Sequence, residues 1–176
     1  MSSRSPAFLA LLAALGAAPR PGAAAVAVPA SIEELARASS AVVRGRVASA
    51  AARWSADHRR IETEVEVEVA SAWRGAAASR VAVVVPGGEV DGLGQRVDGA
   101  PRLAPGEEVV LFLWGGGARP YRVTGLAQGK FAVKGPAARP DLSGLSFVPR
   151  AALRAGERRV EELALDELER RVRAVP

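Results

Sequence analysis

The sequence predicts a mainly β chain: a small antiparallel barrel or sandwich with a short N-terminal helix and a C-terminal helix. Three observations carry this. Residues 61–69 read I-E-T-E-V-E-V-E-V, an unbroken apolar/polar alternation, which is the period of a strand with one wet face. Further short apolar runs are separated by Gly- and Pro-marked turns at close intervals, the signature of a small barrel or sandwich. Only two stretches have helical spacing, and they lie near opposite ends of the sequence. A length of 176 residues leaves room for one domain with a substantial core.

Residues 1–25 are set apart. Arg4 precedes an apolar run over 7–18, Pro19 to Gly22 break it, and Ala23-Ala24-Ala25 supply small residues. This is the layout of a secretory signal peptide, cut after Ala25 or, alternatively, Ala27. The competing reading is an uncleaved anchor, for which the apolar run is short. Residues 26–176 are then one exported domain, periplasmic or extracellular, and no second apolar stretch in them approaches membrane length. The sequence contains no cysteine, so disulfides, thiolate metal sites and lipidation acceptors are excluded.

Next comes S-I-E-E-L-A-R-A-S. Ser31 followed by Glu34 is a capping box, and Ile32, Leu35 and Ala36 share a helical face, so a short helix is expected to cover one end of a barrel or sheet. Residues 41–54 begin as a strand with Val43, Gly45 and Val47 on one face and Arg44 and Arg46 on the other. Gly45 there implies a bend or a close backbone approach. In the alternating strand Ile61, Thr63, Val65, Val67 and Val69 face the core, and Glu62, Glu64, Glu66 and Glu68 face water. Pairing Val47 with Val65 would set Arg46 opposite Glu66 and Arg44 opposite Glu68, around a three- or five-residue turn near 55–58.

Residues 70–79 read as a connection. Residues 80–85 (R-V-A-V-V-V) read as a buried strand, stopped by Pro86-Gly87-Gly88. Residues 86–108 have neither period and read as one long loop. Residues 109–114 (V-V-L-F-L-W) are apolar on both faces, so this strand should lie centrally, under a covering element. Residues 121–124 and 130–134 read as short strands, and 142–148 as a weakly marked one. A closing helix follows, capped by Asp166, with Leu165, Leu168 and Val172 as its stripe and arginines in its last turn, as the helix dipole prefers.

The order of these pieces resembles an uncharacterised family of exported bacterial β-barrel domains. The resemblance is carried by S-I-E-E-L-A-R-A-S-S-A-V-V-R-G-R-V, Trp54, V-E-V-E-V-A-S-A-W-R-G and V-A-V-V-V-P-G-G, with the later G-L-G-Q-R-V-D-G-A-P-R-L-A-P-G-E-E-V-V-L-F-L and L-A-Q-G-K-F. More distantly it is similar to the netrin-like modules of tissue inhibitors of metalloproteinases. That resemblance implies an OB-like barrel and the binding of another exported protein, with a protease as one candidate. Those inhibitors act through an N-terminal cysteine, which this chain lacks, so their mechanism does not carry over.

The net charge of +5 falls to +3 once Arg4 and Arg20 are removed (5 − 2). The remaining bases are scattered among acids and form no basic stripe with interleaved aromatics, so nucleic acid is not an expected partner. His58 is the single histidine. Beside Asp57 in a turn it could serve as a base or ligand; the simpler reading is an exposed turn residue, and the usual zinc, thiol and Ser–His–Asp arrangements are not available. The four glutamates of the alternating strand could be a calcium ladder, but alternate residues sit too far apart to share one ion easily. G-L-G-Q-R-V-D-G lacks the strand-and-helix context of a phosphate cradle. Trp54, Trp73 and Trp114 lie near strand ends and read as core or rim packing.

Function is therefore expected to be non-enzymatic protein binding, without metal or cofactor. The candidate contact residues sit on the 86–108 loop: Glu89, Asp91, Gln95, Arg96, Asp98 and Arg102. The alternative is a structural accessory domain of the envelope, its loop a crossover packed through Val90, Leu93, Val97 and Leu103.

Overall fold

The computed structural model describes residues 25–75, 78–142, 144–147 and 162–176; the expected signal peptide lies almost wholly outside them. In chain order the elements are β1 (Ala25–Ala27), α1 (Ile32–Arg37), β2 (Ala41–Trp54), β3 (Ile61–Arg74), β4 (Arg80–Pro86), β5 (Gly88–Val90) and β6 (Leu93–Gln95). Then follow β7 (Glu108–Gly115), β8 (Tyr121–Val123), a 3-10 turn (Leu126–Gly129), β9 (Lys130–Lys134), β10 (Ala137–Pro140), β11 (Leu145–Phe147), β12 (Leu163–Ala164) and α2 (Leu165–Arg173).

Strands β2, β3, β4, β8 and β7 close on one another in that order, because β7 pairs with both β2 and β8. Numbered along the chain, these barrel strands run 1-2-3-5-4 and back to 1, with the third and fifth parallel. This is a small closed OB-like barrel, as the alternation and turn spacing predicted. Strands β9, β10 and β12 extend the sheet from β7, and β1 pairs in parallel with β11 at one side.

The two faces of β7 explain why both its sides are apolar. Val109, Leu111 and Leu113 point into the barrel with Val43, Val47, Val65, Val67, Val81, Val83 and Val123. Val110 and Phe112 point outward into a second core with Phe131, Val133, Trp73 and the two helices. Helix α1 contributes Ile32, Leu35 and Ala36 to that core, and α2 contributes Leu168 and Val172. So α1 covers the outer face of the sheet, where the expectation was one end of a barrel or sheet. Its capping box forms as expected, Glu34 N donating to Ser31 Oγ at 3.2 Å and Ser31 N to Glu34 Oε2 at 2.8 Å. The helices are tied by Arg171, whose Nε and Nη2 donate to the two oxygens of Glu33 at 2.7 and 2.8 Å. Asp166 does not cap α2: the N-cap position is Ala164, and Asp166 Oδ1 accepts from Glu167 N one residue on.

The β2–β3 hairpin forms, but in a register two residues from the expected one. Val47 pairs with Val67, not Val65, and Arg46 faces Glu68. The valines keep the core face because the shift is even. Its cause is a longer turn, Ser55 to Arg60, together with β-bulges that pattern reading does not locate. One falls between Val47 and Ser49. It changes the phase of β2, so that Ala50, Ala52 and Trp54 are half-buried while Ser49, Ala51 and Arg53 are exposed. Gly45 sits at another shift, and a Cβ there would lie 2.3 Å from the Glu68 carbonyl oxygen.

Arg44 and Arg46 do not neutralise the glutamate row. Arg44 pairs with Glu108 at 2.6 Å, and Arg46 Nη1 donates to Gly106 O at 2.8 Å. The row is met instead by Arg53 at Glu64, Arg80 at Glu66 and Glu68, and Arg122 at Glu62. The expected connection at 70–79 is also shorter than read: β3 runs to Arg74, and Trp73 is buried in the outer core with Nε1 donating to Ser71 Oγ at 3.1 Å.

Candidate functional site

The stretch between β4 and β7, where the chain crosses one end of the barrel, holds the expected contact residues. It is not one irregular loop. Val90-Asp91-Gly92-Leu93 turns a tight hairpin joining β5 to β6, with Asp91 at φ 52° and Gly92 at φ 76°. Two successive positive φ values are what a two-residue primed turn requires, and Asp-Gly is among its preferred pairs. The hairpin lies against the β2–β3 arm at Gly88, where a Cβ would come within 2.7 Å of both Ala52 Cβ and Thr63 Oγ1.

The crossover is then stitched to the barrel along its length. Ile61 N donates to Gln95 Oε1 at 2.6 Å, Gly87 N donates to Ile61 O at 2.8 Å, and Thr63 Oγ1 donates to Gly87 O at 2.7 Å. Farther on, Ala127 N donates to Gly99 O at 2.9 Å. At the end of the segment Val47 N donates to Glu107 O and Gly106 N to Val47 O. Leu103 drops into the barrel core. Among the other apolar residues expected to pack, Val90 and Val97 are half-buried, and Leu93 is 60% exposed at the hairpin.

One charged group is enclosed in this construction. Lys130 begins β9, and its side chain is only 6% exposed. Its Nζ lies 2.6 Å from Glu107 Oε1 and donates to Arg102 O at 2.5 Å. The ammonium therefore joins two points of the crossover to the sheet. A buried charge is tolerated when paired and hydrogen-bonded in this way.

Between the crossover, the arm and the 3-10 turn lies an open cleft of about 400 Å³. Gln95, Arg96, Asp98 and Arg102 line it, together with Thr63, Lys130, Asp141 and several glycines. Arg96 is largely exposed and stands 4.0 Å from Asp98 Oδ1. Arg102 offers an exposed side chain while its carbonyl is committed to Lys130. Gln95 differs from its expected role: its side-chain carbonyl is tied to the backbone of Ile61, so it holds the crossover in place. Glu89 and Asp91 are exposed on the hairpin and do not line the cleft.

The cleft's walls are thus main chain and small residues, with a mixed set of charges at the mouth. Such a surface can offer hydrogen bonds and ion pairs to a partner placed across it. Sequence reading missed Lys130 as part of this site. In K-F-A-V-K the alternation puts Lys130 on the face opposite Phe131 and Val133, which reads as wet; the crossover covers that face.

Elsewhere, His58 lies in the exposed turn between β2 and β3, its ring stacked on Trp54 at a centroid distance of 6.4 Å. Asp57 in the same turn has its carboxyl held below the usual range, chiefly by the hydrogen bond from Ser55. Among the described residues no group of three His, Asp or Glu side chains is placed to hold a metal ion, and no helix is long and apolar enough to cross a membrane. Neither a protein-family model, nor a curated protein, nor a solved structure matches this chain.

Proposed function

We propose that this is an exported, non-enzymatic protein-binding module whose contact surface is the cleft bordered by the 86–108 crossover. The observation that carries the reading is the combination of exposed Arg96 and Arg102 and half-buried Asp98 with a frame that the Gln95–Ile61 and Lys130–Glu107 contacts hold in place. Binding groups set on a fixed scaffold lose little conformational entropy when a partner docks. The partner is another exported protein, and a protease remains the first candidate through the netrin-like resemblance, which the OB-like strand order supports. A cysteine-free chain would engage it by surface complementarity, without a metal-directed N-terminus.

A specific observation also favours the second reading, a structural accessory domain. The crossover is tied at Ile61, Val47 and Ala127, as a packed crossover would be. Affinity capture from the exported fraction separates the two. The Arg96→Glu/Arg102→Glu variant changes only exposed side chains, so it should fold with an unchanged circular dichroism spectrum. Binding predicts a specific partner that this variant loses at least tenfold; equal capture by both proteins would set the reading aside.

A further inference from the structure

Past Val47 no described strand pairs with the outer edge of β2, although the β5–β6 hairpin lies against one face of the strand at Ala52. β7 runs beside β2 only from Ala41 to Arg46, and residues 106–107 accompany Val47. From there to Trp54, β2 pairs on one side alone, with β3. The ladder shows which main-chain groups are left over. Ser55 N donates to Arg60 O at 2.8 Å, so antiparallel alternation makes Arg53/Glu62, Ala51/Glu64 and Ser49/Glu66 the hydrogen-bonded pairs. Ile61, opposite Trp54, agrees: its carbonyl accepts from Gly87 N on the β4 side. Ala50, Ala52 and Trp54 therefore aim N–H and C=O outward, and no other described residue bonds them. Natural edges are blunted with charged side chains, proline, bulges or a covering segment. This one reads A-S-A-A-A-R-W over 48–54; past the bulge at its start its one charge is Arg53, on the exposed face, and it has no proline.

We infer that this edge is a homodimer interface, in which two copies pair their β2 edges antiparallel about a twofold axis at Ala52. The segment is complementary to itself. With Ala52 opposite its own copy, Ala50 falls opposite Trp54 of the second copy, so the three outward-pointing residues all become hydrogen-bonded pairs, two bonds each. On the half-buried face each indole lies beside the methyl of Ala50, and the two small Ala52 side chains meet at the axis. On the exposed face Arg53 falls opposite Ala51 of the second copy, whose neighbour across the ladder is Glu64. Arg53 already lies 3.0 Å from Glu64 within one chain. The second copy's guanidinium approaches that same carboxylate from the other side, over a residue small enough to admit it. Large side chains meet small ones and cations meet carboxylates along the seam. That matching requires the same sequence on both sides, which is why the occupant is a second copy and not an unrelated strand.

The test is sedimentation equilibrium of residues 26–176 across the micromolar range. A mass approaching twice that of the chain as concentration rises is expected. Ala52→Pro removes an N–H that points away from β3, so the β2–β3 ladder and the circular dichroism spectrum should be kept, while the dissociation constant rises at least tenfold. Arg53→Glu sets a second acid against Glu64 and should also weaken the dimer; adding Glu64→Arg should restore it. Wild-type protein that stays monomeric throughout overturns the inference, and so does an unchanged dimerisation constant in a folded Ala52→Pro. Should that variant fail to fold, Arg53→Glu decides alone, because its side chain is exposed: an undiminished dimer refutes the edge.

Discussion

Replacing Glu107 with glutamine isolates the ammonium of Lys130 and tests what fixes the crossover. The native ammonium has two partners, Glu107 Oε1 at 2.6 Å and Arg102 O at 2.5 Å, with the lysine side chain 6% exposed. Glutamine keeps the size of the side chain and one acceptor oxygen but removes the charge. Breaking one side of a buried ion pair costs about 3–5 kcal/mol. Glu107 is 24% exposed and the Arg102 carbonyl stays in place, so water and the remaining acceptor offset part of this; about 2–3 kcal/mol is expected. Urea unfolding followed by tryptophan fluorescence reads it as a lowered midpoint at constant m-value, and thermal melting as a fall of roughly 6–9 °C. The double variant Glu107→Gln/Lys130→Met leaves no unpaired charge and should recover most of the loss. A single-variant cost below about 0.5 kcal/mol would refute the reasoning, since the ammonium would then need no carboxylate.

Three other substitutions probe the frame. Gly45→Ala forces a methyl against the Glu68 carbonyl, 2.3 Å from the ideal Cβ position, and should cost about 2–3 kcal/mol by thermal melting; a neutral result would mean that the bulge opens freely. Phe112→Ala removes a fully buried ring between the sheet and the helices, which should cost about 3–5 kcal/mol and raise hydrogen exchange in α1 and α2 before the barrel. Glu33 has its carboxyl held below the ordinary carboxylate value, first by the hydrogen bond from Arg171. Its folded pKa being lowered, the pair's contribution is fully present above the unfolded value, near 4.5, and is lost as pH falls through the folded value. Both side chains are about two-thirds buried and the remainder is screened by solvent, so Glu33→Gln should cost about 0.5–1 kcal/mol at neutral pH. The difference from wild type should vanish on acidification; one that persists at the acid end would exclude the ion pair as its source.

The barrel was legible because its core follows period two: Val65, Val67, Val81, Val83, Leu111 and Leu113 all fall inside, where alternation or apolar runs place them. The both-faces-apolar pattern of β7 likewise marked a covered, central strand, and the strand does lie between two cores. Register was not legible. Alternation fixes which face a strand buries, but the bulges beside Val47 and Arg44 each move the pairing without leaving a hydrophobic signal. The arginine partners of the glutamate row were not legible either: Arg80 and Arg122 come from β4 and β8, and alternation along β3 does not say which strands flank it or which of their side chains meet its glutamates.

The crossover divides in a similar way. Asp91-Gly92 between Val90 and Leu93 is a hairpin signal that the sequence contains, and reading the whole stretch as aperiodic passed over it. Arg96, Asp98 and Arg102 do gather at one cleft. Lys130 could not be found by pattern, because its burial comes from a segment more than twenty residues earlier folding across the barrel end. The strand Ala137–Pro140 carries too little apolar contrast to be recognised, and it forms through pairing with β9.

In the proposed function the cleft beside the crossover is a contact surface. A photoreactive residue placed at Arg96, in the full-length protein in its native setting, tests this directly against the same probe at Ala82, which is exposed on β4 and does not line the cleft. A contact surface there predicts a discrete cross-linked product from position 96 that is absent from position 82. No product from 96, or the same products from both positions, would contradict it.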